Sequence, residues 1–164
     1  MVSPPTDAQD TIVRLIAAVI AGSAIGMNRE LRDKPAGLRT HALVSLGAAG
    51  MTIVGLNMGA PEAVGLTNVT RVVQGVIAGI GFLGAGVIMR PPARVEVHGL
   101  TTAASIWIAA AIGVGAGTAE WVVTGAVTVL ALLVLLVGLP VERAARRLVD
   151  VDEADTKPPD DGPP

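Results

Sequence analysis

Cysteine is absent from all 164 residues, which excludes disulfides, thiolate metal sites and cysteine nucleophiles. Charge is scarce too: Asp, Glu, Lys and Arg make up 16% of the chain, against 51% apolar residues. The motifs of common chemistries are missing. There is no GKS or GKT phosphate loop, no serine-centred nucleophile elbow and no HExxH helix. No nucleophile with a base and an orienting group can be assembled, so the chain is not expected to be an enzyme. GIGFLGAG at 79–86 has the letters of a dinucleotide fingerprint but lies inside an apolar run, without the preceding strand or later acidic residue that fold requires. A divalent metal wants clustered carboxylates or imidazoles. Glu30, Glu96, His41, His98, Glu62 and Glu120 show no diagnostic spacing.

What is present is a series of long apolar blocks separated by short charged ones, the pattern of a membrane protein. The expected fold class is all-α: a polytopic, compact bundle of five transmembrane helices. The blocks are 12–27, 42–58, 72–89, 100–118 and 121–139. The third, VVQGVIAGIGFLGAGVIM, is uncharged and would span about 27 Å as a helix, close to the hydrocarbon thickness of a bilayer. Its glycines at 75, 79, 81, 84 and 86 would let other helices approach closely, which makes it the expected packing seam. Ala18, Gly22 and Gly26, four apart, form a small-residue stripe expected to face it. A cleaved signal peptide is the other reading of the first block, but its start is acidic and lacks a basic region.

Residues 1–11 are expected to form a disordered outer terminus and 12–141 the membrane domain. Pro140 should close the last span, with 142–150 a juxtamembrane helix at the headgroups and 151–164 a disordered acidic tail. Lys and Arg set the orientation. The segments 28–41 and 90–98 and everything after 140 carry ten, against Arg14 and Arg71 on the other side. That places the amino terminus outside and the carboxyl terminus in the cytoplasm. Trp121 then falls at the outer interface, while Trp107 lies mid-span as a packing residue.

Two groups of polar residues follow from this topology. At the cytoplasmic ends, Asn28, Glu30, Arg39, His41, His98 and Thr102 could enclose a pocket for an ion or small anion, with Glu30 as acceptor and Arg39 as donor. The competing reading is that Glu30 and Arg39 pair to close the turn. On the outer side Arg14 is expected to snorkel to the headgroups. Arg71 and Gln74 stand at the entrance to the glycine-rich helix, where an anion, an acidic partner side chain or a lipid phosphate would fit alike.

IGMNRELRDKPAGLRTHALVSLGAA from Ile25, GIGFLGAGVIMR from Gly79 and GLTTAASIWIAAAIGVGAG from Gly99 resemble, in that order, the MgtC/SapB membrane proteins. The resemblance implies a bacterial inner-membrane protein, with relatives that include factors for growth at low magnesium and survival inside host cells. Some members look like regulators of membrane energetics, including through the ATP synthase. The family's motifs emphasise Glu30, Lys34, Gly37, Leu38, Arg39, Thr40 and His41, then Arg71, Gln74, the glycines 79, 81, 84 and 86, and Gly99, Thr102 and Ala103. Many members have an acidic residue where this chain has Asn68 and arginine where it has His98. Longer members add a soluble domain where this sequence has an acidic tail.

The expected function is a part in magnesium-linked ion homeostasis, exerted by binding a ligand or partner at the helix ends. The alternative is a transporter or channel for Mg2+ or another cation. Expected associates are membrane lipids, a second copy in a homo-oligomer with a dimer favoured, and a membrane-protein partner. Mg2+ is the one candidate cofactor, and no nucleic-acid partner is expected.

Overall fold

The computed structural model describes residues 7–58, 62–88 and 99–156. Five helices follow in order: α1 (Ala8–Glu30), α2 (Leu38–Asn57), α3 (Glu62–Ile88), α4 (Leu100–Gly117) and α5 (Trp121–Thr156). The chain divides into two compact units, Met1–Leu132 and Leu133–Pro164.

α1 starts four residues before the expected span because Asp7 caps it: the Asp10 N–H donates to the Asp7 carboxylate at 2.8 Å. Residues 8–11 are therefore helical rather than disordered. At its other end α1 absorbs Asn28 to Glu30, which the charged run had suggested were connector. α2 begins after Gly37, which offers no side-chain cap. Instead the Leu38 N–H donates 3.0 Å to the Glu30 carboxylate, so the end of one helix caps the start of the next. α4 begins after Gly99 at φ 89°, where a Cβ would meet the Val87 carbonyl oxygen at 2.7 Å. Only glycine fits that left-handed, crowded position.

The packing centre is α2 with α4, not the glycine-rich helix. α2 touches α1, α3 and α4, and α1 also packs on α4. A Cβ on Gly22 of α1 would come within 2.6 Å of the Ser45 Cβ, while one on Gly113 of α4 would run into the Ser45 carbonyl oxygen. Three helices thus cross at Ser45 with almost nothing between their backbones. Ala18, Ala49 and Ala116 are fully buried one level further out. In lipid, apolar surface gives helices little reason to associate, so dispersion from such close approach carries the stability.

The seam expected on α3 does not form among the described residues. α3 turns Val76, Ile80, Gly84 and Val87 towards its neighbours, a repeat of four and three, and Val72 lies against Gly55. Gly75, Gly79, Gly81 and Gly86 fall off that face, with nothing within 4 Å of where a Cβ would stand; only Gly84 comes near another helix, 3.5 Å from Ala103. The small stripe on α1 accordingly meets α2 instead of α3.

Among the described residues four helices are long and apolar enough to cross a membrane: α1, Thr67–Ile88 of α3, α4 and Trp121–Gly138 of α5. The expected fifth span, α2, is not among them: Arg39, His41 and Asn57 are its strongly polar residues. Of its polar side chains His41, Ser45 and Thr52 are fully buried. The opening of α5 leaves Val122, Val129 and Leu130 exposed, an apolar surface suited to acyl chains. In the second unit Pro140 lies inside the helix rather than ending it, and helix continues to Thr156, past the expected start of disorder at 151. Residues 157–164 of the expected tail lie outside the described residues.

Candidate functional site

The buried face of α1 consists of Arg14, Ala18, Gly22, Ile25, Gly26 and Arg29, spaced by threes and fours. The arginines occupy the two ends of the same stripe that the small residues fill. Both therefore point into the bundle, with 2% and 4% of their surface exposed. Arg14 does not snorkel. Its Nη1 donates to the Gly117 carbonyl at 2.8 Å, where α4 ends, and its Nη2 stands 2.7 Å from the Asp10 carboxylate. A cation there complements the negative end of the α4 dipole.

Arg29 meets the opposite end of α4, where its Nη2 donates to Thr102 Oγ1 at 2.6 Å. Arg14 and Arg29 are fifteen residues apart, as are Thr102 and Gly117, about 22 Å along each antiparallel helix. α1 thus clamps α4 at both ends. The two ends differ in their electrostatics: Arg14 has a carboxylate, whereas Arg29 has none among the described residues, and its Nε is buried without a partner. The charge that acts on Arg29 at this end is that of another cation, Arg32.

His41, in the first turn of α2, is fully buried. Its Nδ1 lies 2.8 Å from the Gly37 carbonyl oxygen and its Nε2 3.0 Å from Ser105 Oγ on α4. The Ser105 hydroxyl is also 2.8 Å from the Thr102 carbonyl oxygen, so its one proton serves either neighbour in turn. A carbonyl only accepts, which assigns the ring proton of a neutral His41 to Nδ1. Arg29, Thr102, Ser105 and His41 therefore make one buried polar cluster joining the ends of α1, α2 and α4.

Of the residues the sequence singled out, Thr102 and His41 enter this cluster. Glu30 borders it but spends its carboxylate on the Leu38 N–H, lying over Gly37 where a Cβ would stand. Asn28 is half-buried, with its Oδ1 unpartnered. Arg39 is exposed and forms no ion pair with Glu30, and Arg71 and Gln74 are exposed on α3, apart from the cluster. His98 lies outside the described residues. Arg29 and Ser105 were missed. The signal for Arg29 was present: extending the Ala18, Gly22, Gly26 stripe by three reaches it, and back by four reaches Arg14. Among the described residues no group of three or more His, Asp or Glu could hold a metal ion.

The MgtC family model matches residues 15–144, which takes in the whole cluster. The chain is similar to the protein SrpB of Synechococcus elongatus, 44% identical over 115 residues, 66% of this chain and 63% of that one. It is equally similar, 44% over 128 residues, to the putative magnesium transporter YhiD of Escherichia coli, covering 74% of this chain and 58% of YhiD. With the protein MgtC of Salmonella typhimurium it shares 39% over 137 residues, 84% of this chain and 54% of the relative. The chain thus spans a little over half the length of these curated relatives. No solved structure matches it.

Proposed function

Because the chain belongs to the MgtC family, we propose that it is a multi-pass inner-membrane protein of magnesium-linked ion homeostasis, acting through a ligand or partner bound at its helix ends. The observation that carries this reading is the buried polar cluster of Arg29, Thr102, Ser105 and His41, set at one end of a bundle whose middle is closed by alanine and glycine. Buried charge at a membrane helix end is costly and is a functional-site signal by default. All five helices cross in this reading. α2, at 20 residues, reaches about 30 Å and hides its polar groups against α1 and α4. The excess of Lys and Arg in two connectors and in the stretch after 140 supports an amino terminus outside and a carboxyl terminus inside. The unfilled glycine positions 75, 79 and 86, on one face of α3, supply a surface for a second copy, in a dimer.

A second reading is favoured by the name of the Escherichia coli relative, a putative magnesium transporter. In it the dimer passes Mg2+ or another cation, since one subunit leaves little room for a path. Purified protein in liposomes separates the two. Ion flux that is lost in Glu30→Gln or Arg71→Ala supports transport. No flux under several gradients, with a stoichiometric companion recovered by gentle extraction, supports binding. Single cysteines at 59 and 93, in a chain without native cysteine, test the topology: labelling from the same side would overturn five crossings.

A further inference from the structure

The outward surfaces of the helices are not alike. α1 exposes Ile12, Val13, Ile16 and Ile20, α2 exposes Leu43, Met51 and Val54, and the opening of α5 exposes Val122, Val129 and Leu130, large apolar side chains suited to acyl chains. α3 is different. Arg71, Gln74, Ala78, Gly81 and Ala85, all exposed, recur at intervals of three and four, so one seam of polar and small residues runs about 21 Å down the helix. Exposed Ile77 and Phe82 flank it on either side, which makes the seam a shallow groove. The glycine face at 75, 79 and 86 lies about a quarter turn away. Gln74 sits seven residues, about 10 Å, inside the apolar span Thr67–Ile88, too deep for its short side chain to reach the headgroups. Arg71 is four residues in, and no ion pair forms at it among the described residues. The neighbouring sequence offers it no carboxylate: residues 1–6 and 59–61 contain neither Asp nor Glu, and Asp10 is taken by Arg14. Glu62 is nine residues back, about 13.5 Å up the axis and half a turn round the helix.

We propose that this seam docks a membrane-spanning helix of another protein, one that carries a carboxylate level with Arg71. Charge selects that occupant over a second copy, since two parallel copies joined along the seam would set Arg71 against Arg71. A lipid phosphate would satisfy Arg71 but has no use for the small residues that continue down to Ala85. In the complex the carboxylate pairs with the guanidinium, the Gln74 amide hydrogen-bonds across the contact, and Ala78, Gly81 and Ala85 let the backbones approach. The inference rests on the reading of the chain as a partner-binding membrane protein, and it names the surface and the partner's chemistry.

The test uses the intact chain in phosphatidylcholine vesicles, with one fluorophore on the cysteine of a Gly59→Cys variant. The probe is a synthetic Leu–Ala helix of about 22 residues, long enough to span, with a single Glu in its outer third and a second fluorophore. Saturable energy transfer is expected, with affinity about three- to twentyfold lower when the peptide's Glu is replaced by Leu. Arg71→Glu should reverse the preference, refusing the Glu peptide and accepting one with Lys in its place, a switch that a merely structural arginine would not give. Gly81→Leu should fold, since a Cβ there meets nothing within 4 Å, and should lose the peptide, while Gly79→Leu on the other face should keep it. Equal transfer for the Glu and Leu peptides overturns the proposal and needs no substitution on the seam. So does binding that responds to Arg71→Glu but not to Gly81→Leu, the pattern of a headgroup contact. Transfer between two labelled copies that Gly81→Leu abolishes puts a second copy on the seam and overturns it as well. A companion that still co-purifies with the Gly81→Leu chain removes this surface and leaves the functional reading standing. Peptide binding with no companion recovered from cells would sink that reading alone.

Discussion

Arg29 Nη2 and Thr102 Oγ1 are 2.6 Å apart and join the last turn of α1 to the first turn of α4. The bond is buried at both ends, so its loss cannot be made good by water. Thr102→Val keeps the shape and removes the acceptor, leaving a buried guanidinium short of one more partner. The expected cost is about 1–3 kcal/mol, seen as a lower melting temperature in detergent. Thr102→Ser, which restores the oxygen, should return close to wild type. Equal melting temperatures for the two variants would show that the bond contributes nothing.

His41 carries a second prediction, about a proton rather than a stability. Gly37 offers only a carbonyl to Nδ1, so the neutral ring must hold its proton there, with Nε2 free to accept from Ser105. Nitrogen NMR of labelled protein should find the Nδ1–H tautomer, and Ser105→Ala should retain it while costing about 0.5–1.5 kcal/mol. A dominant Nε2–H form would contradict the assignment.

Helix number and order were legible because apolar blocks punctuated by proline and charge are a strong signal, and α4, apolar from Leu100, lies close to its expected bounds. Which helix sits at the centre was not. Glycine content pointed to α3, yet glycine reports only that a neighbour can come close, not that one does. The small residues that are used, Gly22, Ser45 and Gly113, are scattered through three helices and become neighbours only on folding. The polar site was half legible for a related reason. His41 and Thr102 stood out by residue type, but Arg29 looked like one charge in the exposed run NRELRDK. Only its place on the α1 stripe distinguishes it from Arg32, three residues on.

The contrast between glycines gives a third prediction. Gly113→Ala would drive a Cβ into the Ser45 carbonyl, backbone against backbone, where no rotamer change gives relief. Overpacking of this kind costs about 1–3 kcal/mol or more, so the variant should melt early or fail to assemble. Gly79→Ala meets nothing within 4 Å and should be neutral or slightly stabilising in a monomer. If Gly79→Ala instead lowers the melting temperature or shifts mass from dimer to monomer, the second copy packs on that face. Light scattering with detergent correction reads the difference.

Glu30 tests how the connector is held. Its carboxylate accepts from the Leu38 N–H at 3.0 Å, a capping bond made from outside the helix. Glu30→Gln keeps an acceptor oxygen and should cost little, while Glu30→Ala should lose about 0.5–2 kcal/mol, as caps do. Hydrogen exchange at Leu38 provides the local check: its amide should exchange faster in the alanine variant alone. An Arg39→Ala variant should leave that amide unchanged, because Arg39 makes no ion pair with Glu30.

The two ends of the α1–α4 clamp supply the last prediction. Arg14→Met removes the donor to the Gly117 carbonyl and leaves Asp10, which is one-third exposed, to solvent. An orphaned buried carbonyl costs about 1–3 kcal/mol, comparable to the loss in Thr102→Val at the other end. The sites lie about 22 Å apart along the helices and share no partner. Independent sites at that distance add to within about 0.5 kcal/mol, so the double variant should lose the sum. A shortfall well beyond that margin would mean that breaking one end already frees the other, and that α1 and α4 separate as rigid rods rather than fraying locally. Denaturation of the two single variants and the double variant, in one detergent at one protein concentration, distinguishes these outcomes.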